Sequence, residues 1–111
     1  MPLKLEVKET GKAALVTVAG EVDLNSSPEL RQALAPLLKK KLRVLAVELS
    51  EVRYMDSSGI ATLVEALQSC KKTGAALRLA ALSPAVAEVF KMAHLDKIFD
   101  IRPSREDALK E

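Results

Sequence analysis

The stretch from Val44 to Thr73 reads VLAVELSEVRYMDSSGIATLVEALQSCKKT, and it decides the fold class of this chain. The run from Val44 to Leu49 is nearly all apolar, which is typical of a central strand covered on both faces. The run Val52 to Met55 is also extended, and a helix is predicted from about Ser58 to Thr73. A buried strand that leads into an amphipathic helix is the building unit of an α/β protein.

The predicted helix has an apolar face and a polar face. Its apolar face carries Ile60, Leu63, Val64, Leu67 and Cys70 at helical spacing. Its polar face carries Thr62, Glu65, Ser69 and Lys72. Basic residues followed by Gly74 indicate where the helix ends.

The residues before Val44 predict a hairpin and a first helix. Leu3 to Lys8 alternates apolar and polar residues, and Ala14 to Val18 is a second strand after a Gly11 turn, so the two form an antiparallel hairpin. Gly20 to Asn25 is predicted to be a loop.

The first helix opens at Ser26-Ser27-Pro28-Glu29, where serine is the expected N-cap and proline fits the first turn. Pro36 is expected to kink or shorten it. The basic run Lys39-Lys40-Lys41 with Arg43 falls where this helix ends, where cations are favoured; a docking patch for an acidic partner is the alternative.

The residues after Gly74 continue the alternation of strands and helices. Ala76 to Leu82 is a strand, Ser83-Pro84 caps a third helix, Lys97 to Arg102 is a short strand, and Ser104 begins a last helix. The third helix is expected to turn Val86, Val89, Phe90 and Ala93 inward. The sequence therefore predicts a single α/β domain over residues 1–111: a mixed sheet of about five strands, N-terminal hairpin first, with about four helices.

Composition limits the classes of function. A net charge of +2 is too small to indicate nucleic acid or an anionic membrane surface as a partner, and base-stacking aromatic residues are scarce. No apolar run approaches the ~20 residues that span a bilayer. Met1 to Lys4 show no signal-peptide organisation, and Cys70 is alone. We expect a cytoplasmic protein with no direct nucleic-acid or membrane partner.

Few residues could support catalysis. His94 is the only histidine and follows the third predicted helix, a position that suits a helix end better than a general base. One cysteine and one histidine cannot build a zinc site, and Cys70 is expected to be a buried, inert thiol. The sequence has neither a Gly-x-Ser-x-Gly elbow nor a glycine-rich phosphate loop. We expect no enzymatic activity, no cofactor and no metal.

Asp56-Ser57-Ser58-Gly59 stands out against this background. It places a carboxylate and two hydroxyls at a predicted helix N-terminus, where the helix dipole favours negative charge. Taken as bare residues they are helix caps, with Gly59 easing the turn. Phosphorylation of a serine there would add roughly −2 charges at a position that tolerates them. The residues alone leave the cap and the modification site open.

Five stretches in and around this motif are informative together. They are Gly20-Glu21-Val22-Asp23, Pro28-Glu29-Leu30-Arg31, Tyr54-Met55-Asp56-Ser57-Ser58-Gly59-Ile60, Ala81-Leu82-Ser83-Pro84-Ala85-Val86 and Met92-Ala93-His94-Leu95-Asp96-Lys97-Ile98-Phe99. In this order and spacing the sequence resembles the anti-sigma factor antagonists of the STAS family, and the resemblance runs from near residue 5 to residue 109.

The resemblance implies an adaptor whose partner is an anti-sigma factor that is also a serine kinase. Binding would free the sigma factor, phosphorylation of Ser57 would end binding, and a PP2C-type phosphatase would reverse it. Asp23 and Ser58 would lie on or beside the partner-facing surface, with Asp56, Ser57 and Gly59. Ser58 is expected to be a cap as well, and the hydroxyls of Ser26 and Ser27 to be caps only.

Two alternatives remain on the sequence. One is a STAS scaffold in a lipid-transport or stress-signalling assembly without kinase control. The other is a nucleotide-binding or nucleotide-hydrolysing domain, which would bind ATP or GTP tightly on its own.

Overall fold

The computed structural model describes residues 2–110, so Met1 and Glu111, the outermost residues of the expected domain, lie outside the described part. The predicted element order is confirmed. The elements are β1 (Lys4–Thr10), β2 (Ala13–Val22), α1 (Ser27–Leu38), β3 (Val44–Met55), α2 (Ser57–Thr73), β4 (Ala76–Ala80), α3 (Pro84–Met92), a short 3-10 helix (Leu95–Lys97), β5 (Asp100–Arg102) and α4 (Arg105–Leu109).

The strands form a five-stranded sheet in the order β1-β2-β3-β4-β5. β1 and β2 are antiparallel, as expected of the hairpin, and the pairs β2–β3, β3–β4 and β4–β5 are parallel. The sheet is therefore mixed, and the carboxyl ends of its parallel strands share one edge. The predicted α/β class is confirmed.

Several element boundaries differ from the prediction. β2 continues through Gly20 to Val22 instead of giving way to a loop, because register shifts on both sides of Gly20 let the strand keep its pairing with β3. β3 is one strand that includes Ser50 and Glu51. β5 begins only at Asp100, since the 3-10 helix occupies the start of the predicted strand. α1 contains Pro36 and ends at Leu38, so the basic run follows the helix and is not its last turn.

The front face of the sheet, which α1, α2 and α3 cover, holds the main core. Leu30, Leu34, Leu63 and Phe90 are fully or almost fully buried against strand residues such as Val47. The predicted faces need two corrections. Thr62 is buried, and its hydroxyl is satisfied because it donates to the Ser58 carbonyl oxygen at 3.0 Å within the helix. Ala93 is exposed, because α3 ends at Met92.

The back face of the sheet is covered by α4 alone among the described helices. Leu15, Ala46, Ala80 and Ala108 form a small apolar cluster there. Beside it the buried Glu48 carboxylate lies 2.6 Å from a guanidinium nitrogen of Arg105. Small side chains and one ion pair thus fix a five-residue helix that could not be stable alone.

Candidate functional site at the carboxyl ends of β2 and β3

Two aspartates leave neighbouring strands at the same point of the sheet. Val22 pairs with Met55 in the parallel register, and Asp23 and Asp56 are the next residues of the two strands. The Asp56 backbone N–H donates to the Val22 carbonyl oxygen at 3.1 Å, which joins the two strand ends. We call this the β2/β3 edge: Asp23 to Ser27 together with Asp56 to Gly59.

Asp56 is the N-cap of α2. Its Oδ1 accepts from the Ser58 N–H at 2.9 Å and from the Gly59 N–H at 3.4 Å. The Ser58 hydroxyl donates to the same oxygen at 2.6 Å. The expectation that Ser58 caps the helix is therefore wrong: Asp56 has the extended backbone of a cap, and Ser58 lies inside the first turn as a donor to it.

These donors keep the Asp56 carboxylate charged. The Ser58 hydroxyl is the largest cause of a lowered pKa for Asp56, and the backbone N–H groups of Ser58, Gly59 and Leu24 act in the same direction. Desolvation opposes them by raising the pKa, but the donors prevail. A fixed negative charge therefore lies one residue before Ser57.

Ser57 is the first residue of α2, and its side chain is exposed. The side chain makes no hydrogen bond to any residue in the described range 2–110. The hydroxyl is therefore free for an outside reactant, on a backbone that the helix and the Asp56 cap hold in place.

Gly59 allows α2 to approach the ends of β2 and β3 closely. A Cβ on Gly59 would lie 2.7 Å from Val22 Cγ1 and 2.8 Å from Met55 Cγ, closer than side chains pack. Gly59 has helical geometry and is buried, so the expectation that it eases a turn is wrong. The absence of a side chain at Gly59 therefore lets the first turn of α2, which includes Ser57, lie close to the strand ends.

Asp23 organises a different turn. Its Oδ1 accepts from the Asn25 N–H at 2.9 Å and the Ser26 N–H at 3.0 Å. The Ser26 hydroxyl accepts from the Asp23 N–H at 2.9 Å and donates to the Glu21 carbonyl oxygen at 2.7 Å. The expectation that Ser26 and Ser27 are caps is wrong for their hydroxyls: Ser26 is at the N-cap position of α1 without a capping bond, and Ser27 is buried.

Leu24, at the tip of this turn, is the feature of the edge that the sequence did not identify. Its side chain is 75% exposed, and its backbone N–H faces the Asp56 carboxylate of the other strand end. The sequence signal for Leu24 is weak. It is a single apolar residue in a polar stretch, and no periodic pattern around it indicates whether its side chain is buried or exposed.

The other candidate residues lie away from this edge. Cys70 is buried near the far end of α2, and burial raises the pKa of its thiol. His94 is exposed just after α3 with a φ of 59°. In the part of the chain that the structure describes, no cluster of His, Cys, Asp and Glu could hold a metal ion. None of the described helices is long and apolar enough to cross a membrane.

The fold and this edge define a small mixed-sheet α/β domain with an exposed serine at the start of a helix that an aspartate caps. The chain belongs to the STAS domain family, whose model matches residues 4–108. The anti-sigma-B factor antagonist of Bacillus subtilis strain 168 is 34% identical over 110 residues, which cover 99% of this chain and 100% of the relative.

Solved structures agree with this assignment. An anti-sigma factor antagonist from Mycobacterium paratuberculosis superimposes with a TM-score of 0.87 at 27% identity, over 96% of this chain and 91% of that one. The Bacillus cell fate determinant SpoIIAA in its phosphorylated form shares the fold, with a TM-score of 0.75 at 17% identity over 95% of this chain and 96% of that one.

Proposed function

We propose that this chain is an anti-sigma factor antagonist, itself not an enzyme, that phosphorylation switches at Ser57. The unphosphorylated form binds an anti-sigma factor with serine-kinase activity and so releases the sigma factor. The kinase then phosphorylates Ser57 and ends the complex, and a PP2C-type phosphatase restores the binding form. The names of the 34% identical Bacillus relative and of the Mycobacterium structure support the antagonist role.

One observation carries the choice of Ser57. Four serines lie at the β2/β3 edge, and their hydroxyls differ in access. Ser27 is buried, the Ser26 hydroxyl is bonded to Glu21 and Asp23, and the Ser58 hydroxyl is bonded to Asp56. Ser57 is exposed, and its side chain has no hydrogen bond within residues 2–110. A kinase can reach its hydroxyl without opening the fold.

The position of Ser57 also explains how a phosphate could switch binding and spare the fold. At the first residue of a helix, a dianion is favoured by the helix dipole. On a partner-facing surface, the same dianion beside the Asp56 carboxylate would have to lose its water, which costs several kcal/mol unless cations meet it. A loss of about 3 kcal/mol weakens binding roughly 100-fold.

The test begins with the kinase-type anti-sigma factor of the same organism, identified with the Ser57→Ala chain as bait and then purified. We expect Ser57→Ala to bind it and resist phosphorylation, and Ser57→Asp to bind about 100-fold more weakly, by calorimetry. Gln68→Glu adds the same charge at an exposed position of the same helix and should leave affinity within about twofold.

Mass spectrometry after incubation with this kinase and ATP identifies the modified residue. We expect one phosphate, on Ser57. A phosphate on Ser58 or Ser27 would show that the residue assignment is wrong. Unchanged affinity of the folded Ser57→Asp chain would refute the switch, and tight binding to a scaffold assembly with no kinase would favour the STAS scaffold instead.

A further inference from the structure

The β2/β3 edge presents one large apolar side chain, Leu24, with 75% of its surface exposed. A single exposed leucine is common on protein surfaces and by itself has no meaning. Leu24 differs because hydrogen bonds hold the turn around it and because its backbone N–H is near enough to the Asp56 carboxylate to help lower the pKa of that group.

The turn that carries Leu24 is held on both sides. Asp23, the residue before it, accepts from the N–H groups of Asn25 and Ser26, and the Asp23 carbonyl oxygen accepts from Ser27 N–H at 2.8 Å. The Ser26 hydroxyl ties the turn back to Glu21. Because the backbone of this turn is already ordered, binding has to restrict only the side chain of Leu24, which favours it as an interface anchor.

We propose that Leu24 is an apolar anchor of the surface that binds the anti-sigma factor, an inference that rests on the proposed function. It fits a protein partner with an apolar pocket edged by a basic side chain, because the carboxylates of Asp23 and Asp56 flank the turn. Such an edge would be matched to the two existing carboxylates alone, so a phosphate on Ser57 would add roughly two further negative charges that no cation of the partner offsets.

The molecule offers a matched control for this anchor. Met92, the last residue of α3, is 74% exposed, nearly the same fraction as Leu24. The other end of α3 is the one near the strand ends: its cap, Ser83, donates to the Val52 carbonyl oxygen. The substitution Met92→Ala therefore removes a similarly exposed apolar side chain at a distance from the β2/β3 edge.

The experiment measures the affinity of the purified chain for the purified anti-sigma factor. We expect Leu24→Ala and Leu24→Asn to weaken binding about 10- to 30-fold, Leu24→Met about threefold or less, and Met92→Ala less than twofold. All four should keep the melting temperature of the wild type, since the altered side chains are mostly exposed.

Salt separates an apolar contact from a charge effect. The loss caused by Leu24→Ala should persist from 50 mM to 500 mM salt, because apolar burial is not screened, whereas the affinity of every variant should fall. If Leu24→Ala binds as tightly as Met92→Ala while Ser57→Asp still weakens binding, the anchor is refuted and the switch stands. If no kinase-type anti-sigma factor binds the wild type, the proposed function itself fails.

Discussion

The two turns of the β2/β3 edge both begin with an aspartate, but the two carboxylates accept hydrogen bonds from different parts of the structure. Each begins with an aspartate that directly follows a register-paired strand residue, Val22 or Met55. Asp56 alone separates β3 from α2, whereas residues 23–26 separate β2 from α1. The Asp56 carboxylate therefore reaches the first N–H groups of its helix, and the Asp23 carboxylate bonds within its own turn.

Since both turns begin with an aspartate, the different roles of these two residues follow from the length of the link to the next helix. With a one-residue link the carboxylate becomes a helix cap, and the next residue, Ser57, is exposed on a fixed backbone. With a four-residue link the carboxylate closes a turn, and the next residue, Leu24, is at its tip. One turn presents a hydroxyl and the other an apolar side chain.

The largest expected effect on stability comes from a substitution in the shorter turn, at Gly59. Gly59→Ala places a methyl group against Val22 and Met55, which are buried, so α2 must move away from the strand ends. We expect the free energy of unfolding to fall by about 1–3 kcal/mol, as for overpacked cores. Urea denaturation measures this free energy. Ser57→Ala adds no volume and is the control, and its free energy of unfolding should stay within about 0.5 kcal/mol of the wild type. Equal stability of the two variants would contradict the close approach of α2.

Smaller losses of stability are expected when either aspartate is replaced, and their sizes show which of the two contributes more. Asp56→Ala removes the cap of a 17-residue helix and should cost about 1 kcal/mol. Asp23→Ala leaves turn N–H groups that water can reach, and should cost about 0.5 kcal/mol. Urea denaturation of the two variants at pH 7 tests the ranking. A larger cost for Asp23→Ala would mean that the longer turn holds the edge together.

The smallest effect is a pH dependence of the shorter turn. The Asp56 pKa is lowered in the folded chain, so the unfolded chain binds the proton more readily, and stability rises with pH. This contribution is complete above the ordinary aspartate pKa of about 3.9 and is lost as pH falls through the folded value. Asp56→Asn keeps a capping oxygen but cannot ionise.

We therefore expect Asp56→Asn to differ little from wild type at pH 7 and to lose less stability than wild type between pH 5 and pH 3. Urea denaturation at a series of pH values measures the slope. Identical slopes in the two chains would show that Asp56 titrates alike in the folded and unfolded states.

Local signals in the sequence predicted most of the architecture. Ser83 accepts from the Val86 N–H as the expected cap of α3, and Gly74 ends α2 with a φ of 85°. Both signals act within a few residues, which is why the sequence carries them. The end of β2 depended instead on pairing with β3 across register shifts, a non-local effect that made Gly20 to Val22 look like a loop.

The sequence predicts which residues form the candidate site, but not how they are arranged. Asp56 caps α2, as the cap interpretation of the motif allows, whereas Ser58 supports the cap and Gly59 packs against the strand ends. The cap bonds span only two or three residues, whereas the role of Gly59 depends on the distance from α2 to the strand ends, which is a tertiary quantity. The exposure of Leu24 depends on the fold of its turn in the same way.

Cys70 gives the chain a built-in reporter of motion in α2. It is the only cysteine of the sequence, it is 3% exposed, and burial raises the pKa of its thiol, which disfavours the reactive thiolate. A thiol reagent can modify it only when the helix opens, so the labelling rate in native buffer measures how often that happens. The same helix thus exposes the Ser57 side chain at one end and buries a thiol at the other, and a single kinetic trace can follow its opening without a new cysteine.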